Sequence, residues 1–261
     1  MAISGEITTL LVKVTFVPTN LFSIKRAESY QFASSYLLPP PSTLLGAFAR
    51  GLFLLRGMPS PRNEEEAKAM IITATIRALT PLTRTGVVLK RMRTLELRDE
   101  NEEESFKPRS DAMVREIVSL PKMEGYYLFN KKKVLESLGQ EIESEIKRIF
   151  YSIDRLGDSE SLVSVTSVVV NSVEAEKTSE KVEVNTVIEK DFTETVSGDY
   201  IYTIMPDLRD RSKPKGYYIP LSADSKRTDI YYPSKFHVIP KENTFAIRAW
   251  DMSLVFAQDY Q

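Results

Sequence analysis

Basic side chains are concentrated between residues 84 and 98, where they could neutralise phosphate groups. One acid, Glu96, lies among the basic residues of this stretch, which are Arg84, Lys90, Arg91, Arg93 and Arg98. Lysine and arginine at this density are typical of segments that bind consecutive phosphates of a nucleic acid. The acidic run at 99–104 would repel RNA and is expected at a solvent-facing tip. The alternative is a solvated hairpin with charges on both faces.

A second basic cluster lies in the last third of the chain and is interleaved with tyrosines. Its charged members are Asp207, Arg209, Asp210, Arg211, Lys213, Lys215, Lys226, Arg227 and Lys235, and its aromatic members are Tyr217, Tyr218, Tyr231 and Tyr232. Aromatic rings next to cations suit the stacking of bases beside phosphate contacts. The tyrosine pairs lie in strand-like segments, however, where one member of a pair is typically part of the core. Both interpretations stay open at this point.

The side chains that catalysis requires are scarce. Metal-free RNA cleavage needs a base for the 2′-hydroxyl and an acid for the leaving oxygen, and histidine usually fills one of these roles. His237 is the one histidine of the sequence, its alternating segment favours a structural role, and without cysteine a zinc site is disfavoured. Asp207 and Asp210 lie in a basic loop, where ion pairing is the simpler interpretation than metal binding. We therefore predict no catalytic residue, no metal and no cofactor.

The composition predicts a soluble, cytoplasmic protein with no membrane partner. The 261 residues contain no apolar run of about 18 or more, and the first residues enter a strand pattern rather than a signal sequence. The absence of cysteine fits a reducing compartment. The formal net charge of -1 argues against a generic nucleic-acid coat, so an RNA contact would depend on local basic surfaces.

The elements that must position these side chains begin with a strand and a helix. Apolar residues alternate with polar ones at 6–17, which predicts a half-buried strand. The prolines at 39–41 enforce an extended approach to a helix that Ser42 is expected to cap and Gly57 to end. A second alternating strand is predicted at 72–78.

The middle of the chain interrupts this pattern. Residues 82–123 carry basic and acidic blocks and are predicted to be an insertion that projects from the core. Regular structure resumes with an aromatic strand at 126–129 and one amphipathic helix at 135–150, which Gly157 is expected to end. A valine-rich strand at 162–170 is interpreted as central and covered on both faces.

The order of these elements predicts a fold class and a division of the chain. Strand, helix, strand, insertion, strand, helix and strand give an α+β fold with a ferredoxin-like, RNA-recognition-type βαββαβ arrangement. The last part contains strand patterns and no convincing helix. We therefore predict one unit at 1–170, with 82–123 inserted into it, and a C-terminal antiparallel β region at 171–261.

Two motifs resemble those of a known family. Residues 36–51, YLLPPPSTLLGAFARG, resemble the segment between the first strand and the first helix in the Cas-five family of CRISPR-associated RAMP proteins. Residues 153–165, IDRLGDSESLVSV, are similar to the second hallmark of that family. The opening strand and the loop with Lys25 and Arg26 resemble it as well. The resemblance covers the N-terminal two thirds of the chain, whereas the C-terminal part fits by layout alone.

The resemblance implies a palm of RNA-recognition type, with the insertion as a β-hairpin thumb. It implies a non-catalytic subunit of a type I-A Cascade-type CRISPR surveillance complex. Such a subunit holds the 5′ handle of the CRISPR RNA, caps the backbone filament, and contacts the backbone RAMP subunit and the large subunit. The residues expected to bind RNA are Lys25, Arg26, Arg84, Lys90, Arg91, Arg93, Arg109 and Arg155. For Arg155, a phosphate contact and a structural contact are both open.

The sequence departs from the nucleases of the same superfamily. The glycine-rich loop of many RAMP endoribonucleases is not evident, and His237 does not reproduce the tyrosine, lysine and histidine combination of the type I-C processing nucleases. The competing interpretations are a metal-independent endoribonuclease that processes precursor CRISPR RNA and a scaffold that binds proteins alone.

Overall fold

The structure is a computed structural model that describes residues 9–19, 21–26, 32–94 and 109–257. In the first part, the helices are α1 (Pro41–Arg56), α2 (Arg62–Met70), α3 (Lys131–Leu138) and α4 (Ile142–Tyr151). The strands there are β1 (Thr9–Pro18), β2 (Phe32–Ala33), β3 (Ile71–Ala78), β4 (Leu82–Thr94), β5 (Arg109–Ser119), β6 (Met123–Asn130) and β7 (Val163–Val173). Within the described ranges, no helix has the length and apolar character needed to cross a membrane.

The rest of the described chain consists of short strands and one 3-10 turn at Lys190–Phe192. The strands are β8 (Glu176–Lys177), β9 (Val182–Val184), β10 (Ile188–Glu189), β11 (Thr193–Gly198), β12 (Ile201–Pro206), β13 (Pro214–Ile219), β14 (Leu221–Ala223), β15 (Ile230–Pro233), β16 (Phe236–Pro240), β17 (Thr244–Ala249) and β18 (Met252–Ala257). The predicted α+β class is confirmed.

Four strands form the central sheet, in the order β3–β6–β1–β7 with antiparallel neighbours. The interior strand β1 is buried on both faces, because Val12 packs in the cluster that contains α1 while Leu11 packs among the C-terminal strands. The prediction of a half-buried strand was therefore wrong. The central position predicted for residues 162–170 was also wrong, since among the described strands β7 pairs with β1 alone and exposes much of its length. Valine suits a half-buried edge as well as a covered interior.

Helix α1 begins one residue earlier than its expected cap. Pro40 is the N-cap and Pro41 takes the first helical position, where its fixed φ and missing N–H cost little. Ser42 is buried within the first turn and makes no capping hydrogen bond, so its predicted role as the cap was wrong. Gly57 ends the helix with φ of 66°, and its N–H donates to the Phe53 carbonyl, as predicted.

The amphipathic segment after β6 forms two helices rather than the one predicted. α3 ends at Gly139, which has φ of 83°, and α4 begins at Ile142. The C-cap of α4 is Ser152, so Gly157 lies in the following loop and does not end a helix. The structure also contains α2, which the sequence pattern did not predict.

The C-terminal strands cover the second face of the central sheet. They form three small sheets, with the orders β10–β13–β12, β11–β16–β9 and β18–β17–β8. Tyr126 and Leu128 of the central sheet share a hydrophobic cluster with Phe236 of β16. In the other direction, Met205 and Tyr217 belong to the cluster that contains α1. Both clusters thus draw on both parts of the chain, and the division at position 170 stays a prediction.

A buried ionic cluster connects the central sheet to the β17–β18 turn. Nη2 of Arg77 donates to a Glu124 oxygen at 2.6 Å and to the two Asp251 oxygens at 2.8 and 2.9 Å. The Tyr126 hydroxyl donates to the same Glu124 oxygen at 2.6 Å. The side chains of Arg77 and Glu124 are 8% and 12% exposed, whereas that of Asp251 is 70% exposed. Glu124 is therefore the shielded anion that holds the Arg77 charge in the interior.

Residues of the predicted insertion form a long antiparallel hairpin, β4–β5, within a five-stranded sheet of the order β14–β15–β4–β5–β2. β15 pairs with the first residues of β4, and β2 pairs with Val114 and Arg115 of β5. The hairpin is thus braced at its base from two sides by other parts of the chain.

Candidate nucleic-acid interface

A cleft of about 310 Å³ opens where α1 begins, beside the loops that precede α1 and follow α4. It is lined by Ile24, Tyr36, Pro40, Ser42, Thr43, Gly46, Ala47, Arg50, Arg155, Gly157, Asp158, Pro206 and Arg211. Segments 36–51 and 153–165, which carry the resemblance, therefore meet across one cleft. The partial positive charge at the amino end of α1 adds to the charge of the arginines.

Two arginines of the cleft share the carboxylate of Asp154. Nε and Nη2 of Arg50 donate to the two Asp154 oxygens at 2.6 and 2.8 Å, and the same atoms of Arg155 donate to them at 3.2 Å. The hydrogen bonds from Arg50, reinforced by those from Arg155 and opposed by partial burial, hold the pKa of Asp154 well below its usual range. Two guanidinium groups against one carboxylate leave a net positive charge at the cleft.

Arg211 supplies a third guanidinium group, which reaches the cleft across the surface of α1. A Cβ atom on Gly46 would lie 2.9 Å from Nη2 of Arg211, so the guanidinium group rests directly over this glycine. Arg211 is exposed, and no carboxylate of the described residues forms an ion pair with it. Asp158, the acid in the cleft lining, is instead paired with Arg115 at 2.5 Å. Arg211 is therefore available to an anionic ligand.

The loop before α1 places another predicted residue beside the cleft. The guanidinium carbon of Arg26 lies 5.2 Å from the ring centroid of Tyr36, and its Nη2 donates a hydrogen bond to the Thr203 hydroxyl on β12. Lys25 is exposed on the same loop. The structure thus brings Arg26 and Arg155 together. It adds Arg50, which sequence reasoning had not assigned to a site, and Arg211, which sequence reasoning had named only as a member of the second basic cluster.

The other predicted RNA-binding residues lie on the hairpin. Arg84 is near its base, 3.7 Å from the Glu116 carboxylate, with its guanidinium carbon 5.8 Å from the Tyr231 ring centroid. The strands carry the remaining predicted residues, which are Lys90, Arg91 and Arg93 on β4 and Arg109 at the start of β5. The side chains of those residues lie outside the described part of the structure, and their contact with RNA stays a prediction.

Arg115 was missed by sequence reasoning and anchors the hairpin beside the cleft. It lies on β5 and is 7% exposed. Its Nε donates to the Ser23 hydroxyl at 3.0 Å, and its guanidinium pairs with Asp158 at 2.5 Å and Glu160 at 3.4 Å. Since Ser23 precedes the Lys25 loop and Asp158 lines the cleft, one side chain fixes the hairpin base, the loop and the cleft relative to one another.

Most of the second basic cluster serves the fold. Arg209 donates to two backbone carbonyls near the end of α2, each at 3.0 Å. The ion pairing expected for Asp207 and Asp210 is confirmed by the pairs Lys215–Asp207 at 3.0 Å and Lys213–Asp210 at 3.3 Å. Of the predicted tyrosines, Tyr217 and Tyr231 are core residues, while Tyr232 is 41% exposed. The sequence pattern missed Tyr202, which is 48% exposed.

His237 lies in β16, the middle strand of the β11–β16–β9 sheet, opposite Glu183 and Ser197. It does not line the cleft. In the described ranges, no group of three or more histidine and carboxylate side chains is arranged to hold a metal ion.

Replacement of Asp154 by asparagine is expected to destabilise the protein only while the native carboxylate is charged. The folded pKa lies below the unfolded value of roughly 4, so the stabilisation is complete above the unfolded pKa and is lost as pH falls through the folded pKa. The Asp154 side chain is 40% exposed, and screening keeps the effect at about 1 kcal/mol or less. Urea unfolding of both proteins between about pH 3 and pH 7 measures the difference. A difference that grows towards acid pH would contradict this assignment.

Comparisons with known proteins point to the same family as the two motifs. A family model described as CRISPR-associated protein (Cas_Cas5) matches residues 10–230. A CRISPR-associated protein Cas5 from Methanocaldococcus jannaschii is 29% identical over 234 residues, which cover 86% of this chain and 89% of that protein. Another from Thermoproteus tenax is 31% identical over 154 residues, which cover 57% of this chain and 61% of that protein.

A solved structure of a CRISPR protein from Archaeoglobus fulgidus has a similar fold. The TM-score is 0.60 at 17% sequence identity, and the match covers 95% of this chain and 99% of that chain. At this identity the similarity concerns the fold alone.

Proposed function

The chain belongs to the CRISPR-associated Cas5 family, and from this membership we propose that it is a non-catalytic RNA-binding subunit of a type I CRISPR surveillance complex. In this proposal it binds the 5′ handle of the CRISPR RNA and caps the backbone filament of a Cascade-type assembly. Its protein partners are the backbone RAMP subunit and the large subunit, and the type I-A branch is the proposed subtype.

The observation that carries the proposal is the convergence of Arg50, Arg155 and Arg211 on one cleft, with Arg26 at its edge. Guanidinium groups bind phosphate oxygens in a planar, two-pronged geometry, and the amino end of α1 favours the same charge. Arg50 keeps Asp154 occupied, so Arg155 and Arg211 are the groups that turn to a phosphodiester. Arg155 would then have both of the roles that the sequence left open, because it contacts Asp154 and would also contact a phosphate.

The fold supports the palm and thumb arrangement that the family resemblance implies. We propose that the central sheet is a ferredoxin-like palm and that the β4–β5 hairpin is the thumb, so that RNA runs from the cleft along the hairpin. Lys25, Arg26 and Arg84 then contact the strand near the base of the thumb, and Lys90, Arg91, Arg93 and Arg109 contact it further out. Phosphate contacts of this kind fix the position and register of the RNA on the protein and do not recognise its base sequence.

The proposal that the protein does not cut RNA is supported by the position of its one histidine. His237 lies away from the cleft lining, in a strand of the C-terminal region. A histidine that took part in cleavage would have to reach a ribose 2′-hydroxyl or the leaving oxygen within hydrogen-bond distance. Endonucleolytic processing of the precursor is the second candidate, and one assay separates the two.

The full chain is incubated with end-labelled repeat RNA in the presence of a metal chelator. The RNA is expected to migrate more slowly in a native gel and to remain uncut. Binding is expected to weaken steeply with salt, because phosphate contacts release counterions from the RNA. Gel electrophoresis under native and denaturing conditions reads binding and cleavage from the same sample. Product that accumulates with wild-type protein and disappears with His237→Ala would establish the nuclease instead. An RNA that is neither bound nor cut would contradict both.

A further inference from the structure

Strand β12 carries exposed apolar and aromatic side chains next to the cleft. Tyr202 and Ile204 are 48% and 47% exposed, and Pro206, two residues further on, lines the cleft. Alternate residues of a strand share a face, so these three side chains form one track along the strand. At about 3.3 Å per residue, Tyr202 lies on the order of 13 Å from the cleft along this track.

The Tyr202 ring rests on a glycine of the neighbouring strand. A Cβ atom on Gly216 would lie 2.9 Å from Cε2 of Tyr202, so only a residue without a side chain leaves room for the ring there. Tyr218, directly opposite Tyr202 in the β12–β13 pair, flanks it at 5.6 Å between ring centroids. Tyr200 in turn contacts Tyr218 at 4.9 Å. The ring is thereby held at a fixed place on the sheet with much of its surface towards solvent.

The ammonium group of Lys190 lies near the Tyr202 ring. Nζ of Lys190 lies 5.9 Å from the Tyr202 ring centroid, and Lys190 is exposed. No carboxylate of the described residues forms an ion pair with it, so its charge is available to a ligand. Lysine has a flexible stem, and its ammonium can move aside from the ring to reach a phosphate. We call Tyr202, Gly216 and Lys190 together the Tyr202 platform.

We propose that the Tyr202 platform stacks an unpaired nucleobase of the same RNA strand whose phosphates the cleft holds. An exposed aromatic ring beside a cation suits a base next to its phosphate, because every base has a π-face and the backbone carries the charge. Strand β12 supplies the continuity, since Pro206 lines the cleft and Tyr202 lies four residues away on the same strand. This inference rests on the proposed function and adds a site to which neither motif of the family resemblance extends.

The experiment places 2-aminopurine at successive positions of repeat RNA and follows its fluorescence on binding to the full chain. The expected result is one position whose fluorescence is quenched by wild-type protein and by Tyr202→Phe, which keeps the ring. Tyr202→Ala is expected to abolish that quenching and to weaken binding roughly tenfold or more. Gly216→Ala, which keeps the tyrosine but displaces its ring, is expected to reduce the same quenching. The salt dependence of binding is expected to be the same for Tyr202→Ala as for wild type, because no phosphate contact is removed.

Tyr151→Ala is the matched control, since Tyr151 is 53% exposed at the end of α4. It is expected to leave affinity and quenching unchanged, and thermal melting verifies that each variant is folded. If Tyr202→Ala binds like wild type with the quenching retained, the platform is wrong while the cleft proposal stands. The platform is equally wrong if Tyr202→Ala leaves RNA binding intact but abolishes capture of another subunit, which would identify a protein-docking surface. Absence of RNA binding by wild-type protein would overturn the proposed function itself.

Discussion

The double variant Arg155→Gln/Arg211→Gln is expected to bind repeat-derived RNA at least about 100-fold more weakly than wild type. Each substitution removes a charge-assisted contact worth about 1.5–3 kcal/mol, so the pair loses about 3 kcal/mol or more, and about 2.7 kcal/mol already corresponds to 100-fold in affinity. For a single strand, the slope of log K against log salt is expected to fall by about 0.7 for each lost phosphate. Titration of labelled RNA at several salt concentrations measures both quantities.

The fold of this variant is expected to survive. Arg50 retains both hydrogen bonds to Asp154, at 2.6 and 2.8 Å, so the carboxylate is not left without a partner. Thermal melting curves of the variant and of wild type check this point. A large loss of stability would mean that the RNA result reflects unfolding rather than the cleft.

The matched control is Lys147→Gln/Arg148→Gln, which removes the same charge from the exposed side of α4. Both side chains are surface residues that pair with glutamates of their own helix. An equal loss of RNA affinity in this control would mean that general electrostatic attraction, not the cleft, holds the RNA.

A separate experiment tests the proposed thumb. The double variant Arg91→Glu/Arg93→Glu is expected to impair retention of guide RNA in the assembled complex. Unchanged retention would contradict the thumb assignment.

Replacement of Glu124 by alanine is expected to destabilise the protein by about 3–5 kcal/mol, the typical cost of breaking a buried ion pair from one side. The Arg77 side chain is 8% exposed and would lose its shielded partner. The Tyr126 hydroxyl would lose its acceptor at the same time. Chemical denaturation of both proteins at neutral pH measures the difference.

Asp251→Ala is the comparison for this prediction. Asp251 contacts the same guanidinium but is 70% exposed, so its removal is expected to cost about 1 kcal/mol or less. If Asp251→Ala proved more destabilising than Glu124→Ala, the ionic cluster would owe its stability to the surface pair. The interpretation of Glu124 as the principal counter-ion would then be wrong.

The sequence pattern predicted those elements of the fold that depend on residues close together in the chain. The alternation in β3 and the stop of α1 at Gly57 follow from residues that are neighbours in sequence. α2 was missed because RNEEEAKAM offers only Ala67 and Met70 as buried apolar residues. The break at Gly139 was missed because the apolar spacing continues across it, although the glycine itself was the available signal for a helix end there. The edge position of β7 depends on which strands pair, which composition does not encode.

The candidate site was predictable to the extent that it lies in the two motifs. Arg155 was found because it belongs to the segment at 153–165, and Arg26 was found because the loop that carries it resembles the family as well. Arg50 lies in the first of these segments as well, but the helix was interpreted through its apolar face alone. The spacing of Gly46 and Arg50, one helical turn apart, was the available signal for a second, polar face. For Arg211 the sequence offered only its membership of the second basic cluster, in which the surrounding aspartates and lysines pair with one another.

The bracing of the β4–β5 hairpin has a mechanical consequence. Each long strand spans roughly 40 Å at about 3.3 Å per residue, and β15, β2 and Arg115 hold the hairpin near its base. The paired strands therefore act as a cantilever, in which a sideways load at their distal ends, Thr94 and Arg109, produces the largest bending moment at the clamp. Because the clamp includes Asp158 of the cleft wall, deflection of the distal strand ends would be transmitted to the cleft that we propose binds RNA.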